Sequence, residues 1–261
     1  MLGDSSGFER EPGPGECPNR EVTELVSASR PIANALIYLA TEVESEIEKD
    51  FNRWAEGHLK DNLTLRGFLS ARRLRRHPSD SQSSDRGSDD GASQPTYLTL
   101  YDLAELEAIE ELANPSRDRS MPEAFSGRFQ FSRSLFRALG AAPDTANRQP
   151  RGPAVLHITV DVEAAHNEAF LEWYVGEHVP AVLSAPGVLS ARRFENASLD
   201  VDGNPANGEF RYLTLYEMED VGVVSRPETI EAAARAAGPA ELESHRRFTH
   251  QVYEEFLTME A

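Results

Sequence analysis

The sequence predicts an α+β chain: two tandem ferredoxin-like βαββαβ units that close on each other into an intrachain, pseudo-dimeric α/β barrel. Three observations carry this. Residues 67–74 read GFLSARRL and residues 187–194 read GVLSARRF, agreeing at six of eight positions. Residues 97–101 and 212–216 both read YLTLY. Around these anchors the same features recur in the same order: an apolar strand-like run, an amphipathic helix ending near a histidine, the LSARR run, a polar loop, YLTLY, a second helix and an aromatic-rich run. Self-similarity of this kind marks a repeated structural unit.

The elements follow in order. In the first unit, residues 35–40 (ALIYLA) form a β-rich run. In the helix after it, Ile47, Phe51, Trp54 and His58 recur at helical spacing and share one face. Residues 69–74 give the second strand, residues 75–95 a loop rich in Ser, Asp and Gly, and residues 97–103 the third strand. Residues 104–113 make a second helix, stopped at Asn114-Pro115 because the residue before a proline avoids the α region, and residues 129–136 the fourth strand. The second unit repeats this with strands at 155–162, 189–194, 212–218 and 248–256 and helices over 165–178 and 227–237. The domains are then a polar tail over 1–30 with too little apolar content to fold, a first unit over 31–140, a linker over 141–153 and a second unit over 154–261.

A βαββαβ unit makes a four-stranded antiparallel sheet with both helices on one face. The other face needs cover. In residues 155–162, Leu156, Ile158 and Val160 suit the helix side while His157, Thr159 and Asp161 point the opposite way, because successive strand side chains alternate. Burying that second face against its counterpart in the other unit encloses a lined cavity. The product is a monomer with a pseudo-twofold barrel, or a homodimer of such chains.

Composition excludes some classes of partner. The 44 acidic residues against 26 basic ones give a formal net charge of -18, which argues against nucleic acid and anionic membranes, since phosphate contacts need a basic face. Arg72, Arg73, Arg75 and Arg76 cluster, but the Ser- and Asp-rich run that follows offsets their field. The one cysteine, Cys17, builds neither a disulfide framework nor a cysteine metal site and fits a reducing compartment. The N-terminus lacks a secretory pattern, and no stretch approaches the roughly 18 apolar residues of a membrane span. A cytoplasmic protein is expected.

Residues 173–180 read WYVGEHVP, followed by PGVLSARRF and then YLTLYEMED. This run resembles the EthD-like branch of the dimeric α/β barrel superfamily, with its W-Y-x-x-E-H-x-P helix end, P-G turn into a strand and later L-x-x-Y-E strand. The first unit matches less well: WAEGHLKD keeps Trp54 and His58 but has Gly57 where Glu177 stands and Lys60 where Pro180 stands. The resemblance covers about residues 31–139 and 153–257 and implies the barrel fold, with both halves supplied by one chain. It implies activity only coarsely. The superfamily holds small cofactor-free monooxygenases, polyketide cyclases, lactone isomerases and dehydratase-like proteins beside haem-binding branches, so fold alone does not assign function.

His178 is the first candidate for chemistry. It ends the first helix of the second unit beside the face carrying Phe170 and Trp173, and a histidine titrates near neutral pH and can shuttle a proton. A cation at a helix end serves structure equally well. Tyr174, four residues earlier, can lay its ring against the imidazole, as Trp54 can for His58, and packing alone produces the same spacing. His157, with Thr159 and Asp161, forms a second cluster on the inward strand face, joined from the last strand by His250; an ordinary half-wet strand shows the same alternation.

Trp173, Tyr212 and Tyr216 offer aromatic walls and phenolic donors to a flat apolar ligand, or simply strand packing. Arg192 offers a guanidinium to a carboxylate or enolate, or to the protein's own acids. The expected catalytic residues are thus His178, Tyr174 and His157, with substrate contacts from Trp173, Tyr212, Tyr216, Arg192, His250, His58 and Trp54. Neither a metal site nor a cofactor is expected, for the sequence has no phosphate-cradling Gly-rich loop, no nucleophile elbow and no metal-ligand spacing. The expected function is cofactor-free acid/base chemistry, of isomerase, dehydratase or lyase, cyclase or monooxygenase type, on a small apolar or aromatic molecule. The alternative is a non-catalytic metabolite-binding or accessory protein.

Overall fold

The computed structural model describes residues 33–78, 96–113, 121–140, 150–199, 210–235, 238–243 and 245–261. The polar tail, Cys17 and most of the 75–95 loop lie outside the described residues. The first unit comprises β1 (Ala35–Val43), α1 (Glu48–Leu63), β2 (Phe68–Arg76), β3 (Tyr97–Leu103), a 3₁₀ helix (Leu106–Ala113) where a second α-helix was expected, and β4 (Phe129–Ala138). The second comprises β5 (Ala154–Val162), α2 (Asn167–Trp173), a π-turn (Tyr174–His178), α3 (Val179–Leu183), β6 (Val188–Asn196), β7 (Tyr212–Met218), α4 (Pro227–Arg235), α5 (Ala240–Glu243) and β8 (Arg246–Glu260). No helix among the described residues is long and apolar enough to cross a membrane.

The strands run β4-β1-β3-β2 in the first unit and β8-β5-β7-β6 in the second. β2 then pairs with β8 and β4 with β6, which closes an eight-stranded barrel with every pairing antiparallel. Closure leaves no sheet edge as a template for another chain. The YLTLY strands show why two layers are needed. β3 sends Leu98 and Leu100 into the lumen and Tyr101 and Leu103 beneath α1; β7 sends Leu213 and Leu215 inward and Tyr212 and Tyr216 beneath α2. A strand apolar on both faces has to be covered on both. Gly67 and Gly187, at matching positions before β2 and β6, turn the chain with φ of 84° and 90°, which favours glycine.

Where a lined cavity was expected, the middle of the lumen is packed. Leu36, Tyr38, Leu74, Leu98, Leu100, Phe136, Val155, Phe194, Leu213, Leu215 and Tyr253, drawn from all eight strands, form one buried cluster. Tyr38 of β1 and His157 of β5 hold matching positions on opposite strands and stack across the centre, 5.5 Å apart and 25° from parallel. Eight strands leave an interior that side chains of this size can fill.

Toward the C-terminal ends of β3 and β7 the lumen becomes ionic. Arg72 and Arg192 hold matching places in the LSARR runs, and Asp102 and Glu217 directly follow the two YLTLY runs. Their pairing is crossed between units: Arg72 Nη1 meets Glu217 Oε1 at 2.6 Å, and Arg192 Nη1 meets Asp102 Oδ1 at 2.7 Å. Arg72 also binds Glu255, and Arg151 of the linker binds Asp102. Burial pushes the Asp102 carboxyl up, but the Arg192 and Arg151 guanidiniums outweigh it and hold the group below its ordinary range. Three guanidiniums facing three carboxylates keep these desolvated charges compensated. The end of the expected linker is part of this structure. Arg72 Nη2 donates to the Gly152 carbonyl at 3.1 Å, the Gly152 N–H donates to Glu217 Oε2 at 3.2 Å, and Ser190 Oγ donates to the Pro150 carbonyl at 2.9 Å. A Cβ at position 152 would overlap the Met218 carbonyl, so glycine alone fits there.

Candidate active site in the second unit

The residues singled out in the sequence fall on opposite faces of the barrel wall. His157 and Arg192 face the lumen, whereas Trp173, Tyr174, Tyr212 and Tyr216 pack between the second sheet and its helices, where the His178 ring stacks on Trp173 and Tyr174. A strand side chain shows one face only, so His157 and Arg192 do not converge with His178. His250 also departs from expectation. It pairs with Ile158, whose side chain faces the helix layer, so His250 projects outward and is exposed rather than entering the lumen. Trp54 and His58 lie in the helix layer of the first unit.

His157 is a neutral imidazole in an apolar stack. Tyr38, Phe210 and Tyr253 surround its ring, both ring nitrogens lack a hydrogen-bond partner in any other described residue, and burial lowers its pKa to about 3. Arg192 is committed to Asp102, with Glu217 3.7 Å away.

The outer group is organised by the π-turn. His58 follows Trp54 by four residues and His178 follows Trp173 by five, and the π-turn takes up the extra residue. Single π-turns of this kind recur at functional sites. Here the His178 ring contacts two aromatic rings, Trp173 at 5.2 Å and Tyr174 at 5.1 Å, the latter stacked at 18°. Tyr174 Oη donates to Thr214 Oγ1 at 3.0 Å, and Tyr212 Oη donates to Asn167 Oδ1 at 2.7 Å. The Arg246 guanidinium lies over Trp173 at 4.4 Å. Trp173 Nε1 is buried with no hydrogen-bond partner among the described residues, and the buried Tyr216 Oη has the Tyr174 hydroxyl beside it as its partner. Burial raises the pKa of both Tyr174 and Tyr216 above the ordinary phenol value, so both are neutral donors at physiological pH.

In the first unit His58 stacks on Trp54 at 5.1 Å and 19°, and Asn62 Nδ2 donates to Tyr101 Oη at 3.0 Å. Tyr101 and Tyr216 close the two YLTLY runs, and Asn62 and Val182 each follow the unit's helix histidine by four residues. The amide that satisfies the first tyrosine is thus a valine beside the second. Sequence reasoning named Tyr216 but missed this contrast, which only an alignment of the two units through their histidines exposes. It also missed a group of three metal-ligand side chains, Glu163, His166 and His245, because His245 comes from a distant segment.

No family model and no curated protein matches the chain. Among solved structures it is similar to the putative monooxygenase of Fusobacterium nucleatum subsp. nucleatum, at 10% identity over 87% of this chain and 95% of that one, TM-score 0.54. It is also similar to an anthrone oxidase-like protein, at 12% identity over 87% of this chain and 92% of that one, TM-score 0.51. A chlorite dismutase variant of Candidatus Nitrospira defluvii gives 12% identity, 87% and 92% coverage, and TM-score 0.51. At these identities the likeness is one of fold: the chain has the architecture of the dimeric α+β barrels, with both halves of the barrel in a single polypeptide.

Proposed function

We propose that the chain is a small-molecule enzyme of the EthD-like kind, performing cofactor-free acid/base chemistry in the helix–sheet layer of its second unit. The observation that carries this reading is the buried Trp173 Nε1, which lies beside His178 and has no hydrogen-bond partner among the described residues. A buried polar group without a partner costs about 1–3 kcal/mol, and a bound molecule that supplies the partner recovers it. His178, half-buried on Trp173 and Tyr174, is the general acid or base. For a substrate with an acidic C–H beside an aromatic carbonyl, His178 takes the proton from carbon. Tyr216, neutral because it is buried, donates a hydrogen bond to the enolate oxygen that develops.

Phe170, Trp173 and Phe248 make the surroundings apolar and aromatic, which selects a flat apolar substrate. The names of two structures of the same fold, a putative monooxygenase and an anthrone oxidase-like protein, suit such chemistry. The barrel closes within one chain, which supports a monomer as the working form over a homodimer. Oxygen uptake with anthrone as probe tests the reading, since its deprotonation and oxidation by O₂ yield anthraquinone and water. The protein is expected to accelerate uptake over buffer, and His178→Ala and Tyr216→Phe to slow it. Equal rates for the protein and both variants would reject the site. A Soret band on reconstitution with hemin that His178→Ala removes would replace the cofactor-free reading with a haem one.

A further inference from the structure

We infer that Glu163, His166 and His245 form a binding site for a divalent transition-metal ion with the ligand preference of zinc. The site lies on the outer edge of the second unit, where the turn between β5 and α2 meets the start of β8. Its three ligand atoms lie within 4.8 Å of one another. Glu163 Oε2 is 2.9 Å from His245 Nδ1 and 3.6 Å from His166 Nδ1. A metal held at about 2.0–2.2 Å by nitrogen and oxygen needs its ligand atoms about 3.0–3.6 Å apart, so this trio closes on an ion by side-chain adjustment alone.

Two further features point to a missing ligand. The His166 and His245 rings stack face to face at 3.8 Å and 8°, with a nitrogen of each turned toward the same carboxylate oxygen. His245 Nδ1 is hydrogen-bonded to that carboxylate, but His166 Nδ1 is buried and makes no hydrogen bond among the described residues. One divalent ion engages the carboxylate and both imidazoles at once. The backbone holds the ligands in place beforehand. Glu163 N–H donates to the His245 carbonyl at 3.1 Å, His166 N–H to the Glu163 carbonyl at 2.9 Å, and His245 N–H to the Leu242 carbonyl at 3.2 Å. Such preorganisation lowers the ordering cost of binding.

Two imidazoles and one carboxylate suit Zn²⁺, with Co²⁺ and Ni²⁺ as substitutes, and disfavour Mg²⁺ and Ca²⁺, which prefer all-oxygen sites. Glu163 is exposed, so positions beyond the three protein ligands are open to water. The ion ties the start of α2 to the start of β8, next to Arg246, which covers Trp173. This inference does not depend on the chemistry assigned to His178.

The test uses the untagged full-length chain, stripped with a chelator and titrated with Co²⁺ and Zn²⁺. One equivalent of Co²⁺ is expected to produce d–d absorption that Zn²⁺ displaces. Zn²⁺ should raise the thermal midpoint, because the native state alone holds the trio together, and Mg²⁺ and Ca²⁺ should not. Glu163→Gln and His245→Ala should each weaken binding by at least about tenfold and abolish the midpoint shift, while His178→Ala leaves both intact. His166→Gln serves the same purpose if His245→Ala does not fold. Absence of stoichiometric Co²⁺ binding, or affinity undiminished in the folded variants, overturns the inference.

Discussion

The two units share one topology and differ in how each finishes its helix–sheet layer. In the first, an unbroken helix sets His58 on Trp54, and Asn62 occupies the Tyr101 hydroxyl. In the second, a π-turn brings His178 against both Trp173 and Tyr174, and Val182 stands where the amide would be. The first layer gives its strand tyrosine an amide; the second gives it only another phenol and sets its histidine beside the unpartnered Trp173 Nε1. In a fold of matched halves, the place to look for chemistry is where one half departs from the other.

The sharpest way to break this comparison is to remove each helix histidine in turn. His178→Ala should lower turnover by about two to four orders of magnitude with the thermal midpoint nearly unchanged, as expected for loss of a general acid or base. His58→Ala should leave turnover near the starting value. Equal losses in steady-state assays would place the site elsewhere.

The crossed ion pairs come next. Arg72→Met leaves the fully buried Glu217 with only the Gly152 N–H and the more distant Arg192, and should cost about 3–5 kcal/mol in urea denaturation. Arg192→Met leaves the buried Asp102 still bound by Arg151 and Ser70, so the loss should be smaller. A larger cost at Arg192 would contradict this difference in remaining partners.

Tyr38 and His157 make a third matched pair, and of the two only the histidine titrates in mild acid. Its pKa in the folded state, about 3, lies below the ordinary value, so the unfolded chain takes up the proton first. Its contribution to stability is complete above pH 6.5 and is lost as pH falls from there toward 3. The slope is about 1.4 kcal/mol per pH unit in the middle of that window. His157→Phe should flatten the stability profile there, read from denaturation midpoints; an unchanged slope would assign acid sensitivity to other groups.

The smallest effects separate the two strand tyrosines. Tyr101→Phe leaves the buried Asn62 amide without its acceptor and should destabilise by about 1 kcal/mol. Tyr216→Phe leaves Tyr174 with its bond to Thr214, so it should destabilise less while slowing turnover. Equal destabilisation with unchanged turnover would make Tyr216 a purely structural residue.

Much of this arrangement is legible in one dimension. Strand alternation assigned Leu156, Ile158 and Val160 to the helix layer and His157 to the lumen, and helical spacing anticipated both ring–imidazole stacks, Trp54 with His58 and Tyr174 with His178. Each of these is a local relation. The ion pairs that seal the lumen join residues 145 and 90 positions apart, and nothing near Arg72 in sequence names Glu217. The π-turn is likewise a single inserted residue, invisible until the two units are laid over each other.

The sequence by itself determined the order of the strands, the likeness of the two halves and the alternation of faces along β5, because these follow from local pattern and the 2.0-residue period of a strand, whereas His250, expected in the lumen, faces outward. The tertiary structure alone decided that His157 and Arg192 are sealed in a packed lumen while His178 stands outside with Tyr216. Which faces meet depends on how two sheets curl and close, and that is set by contacts between residues far apart in the chain.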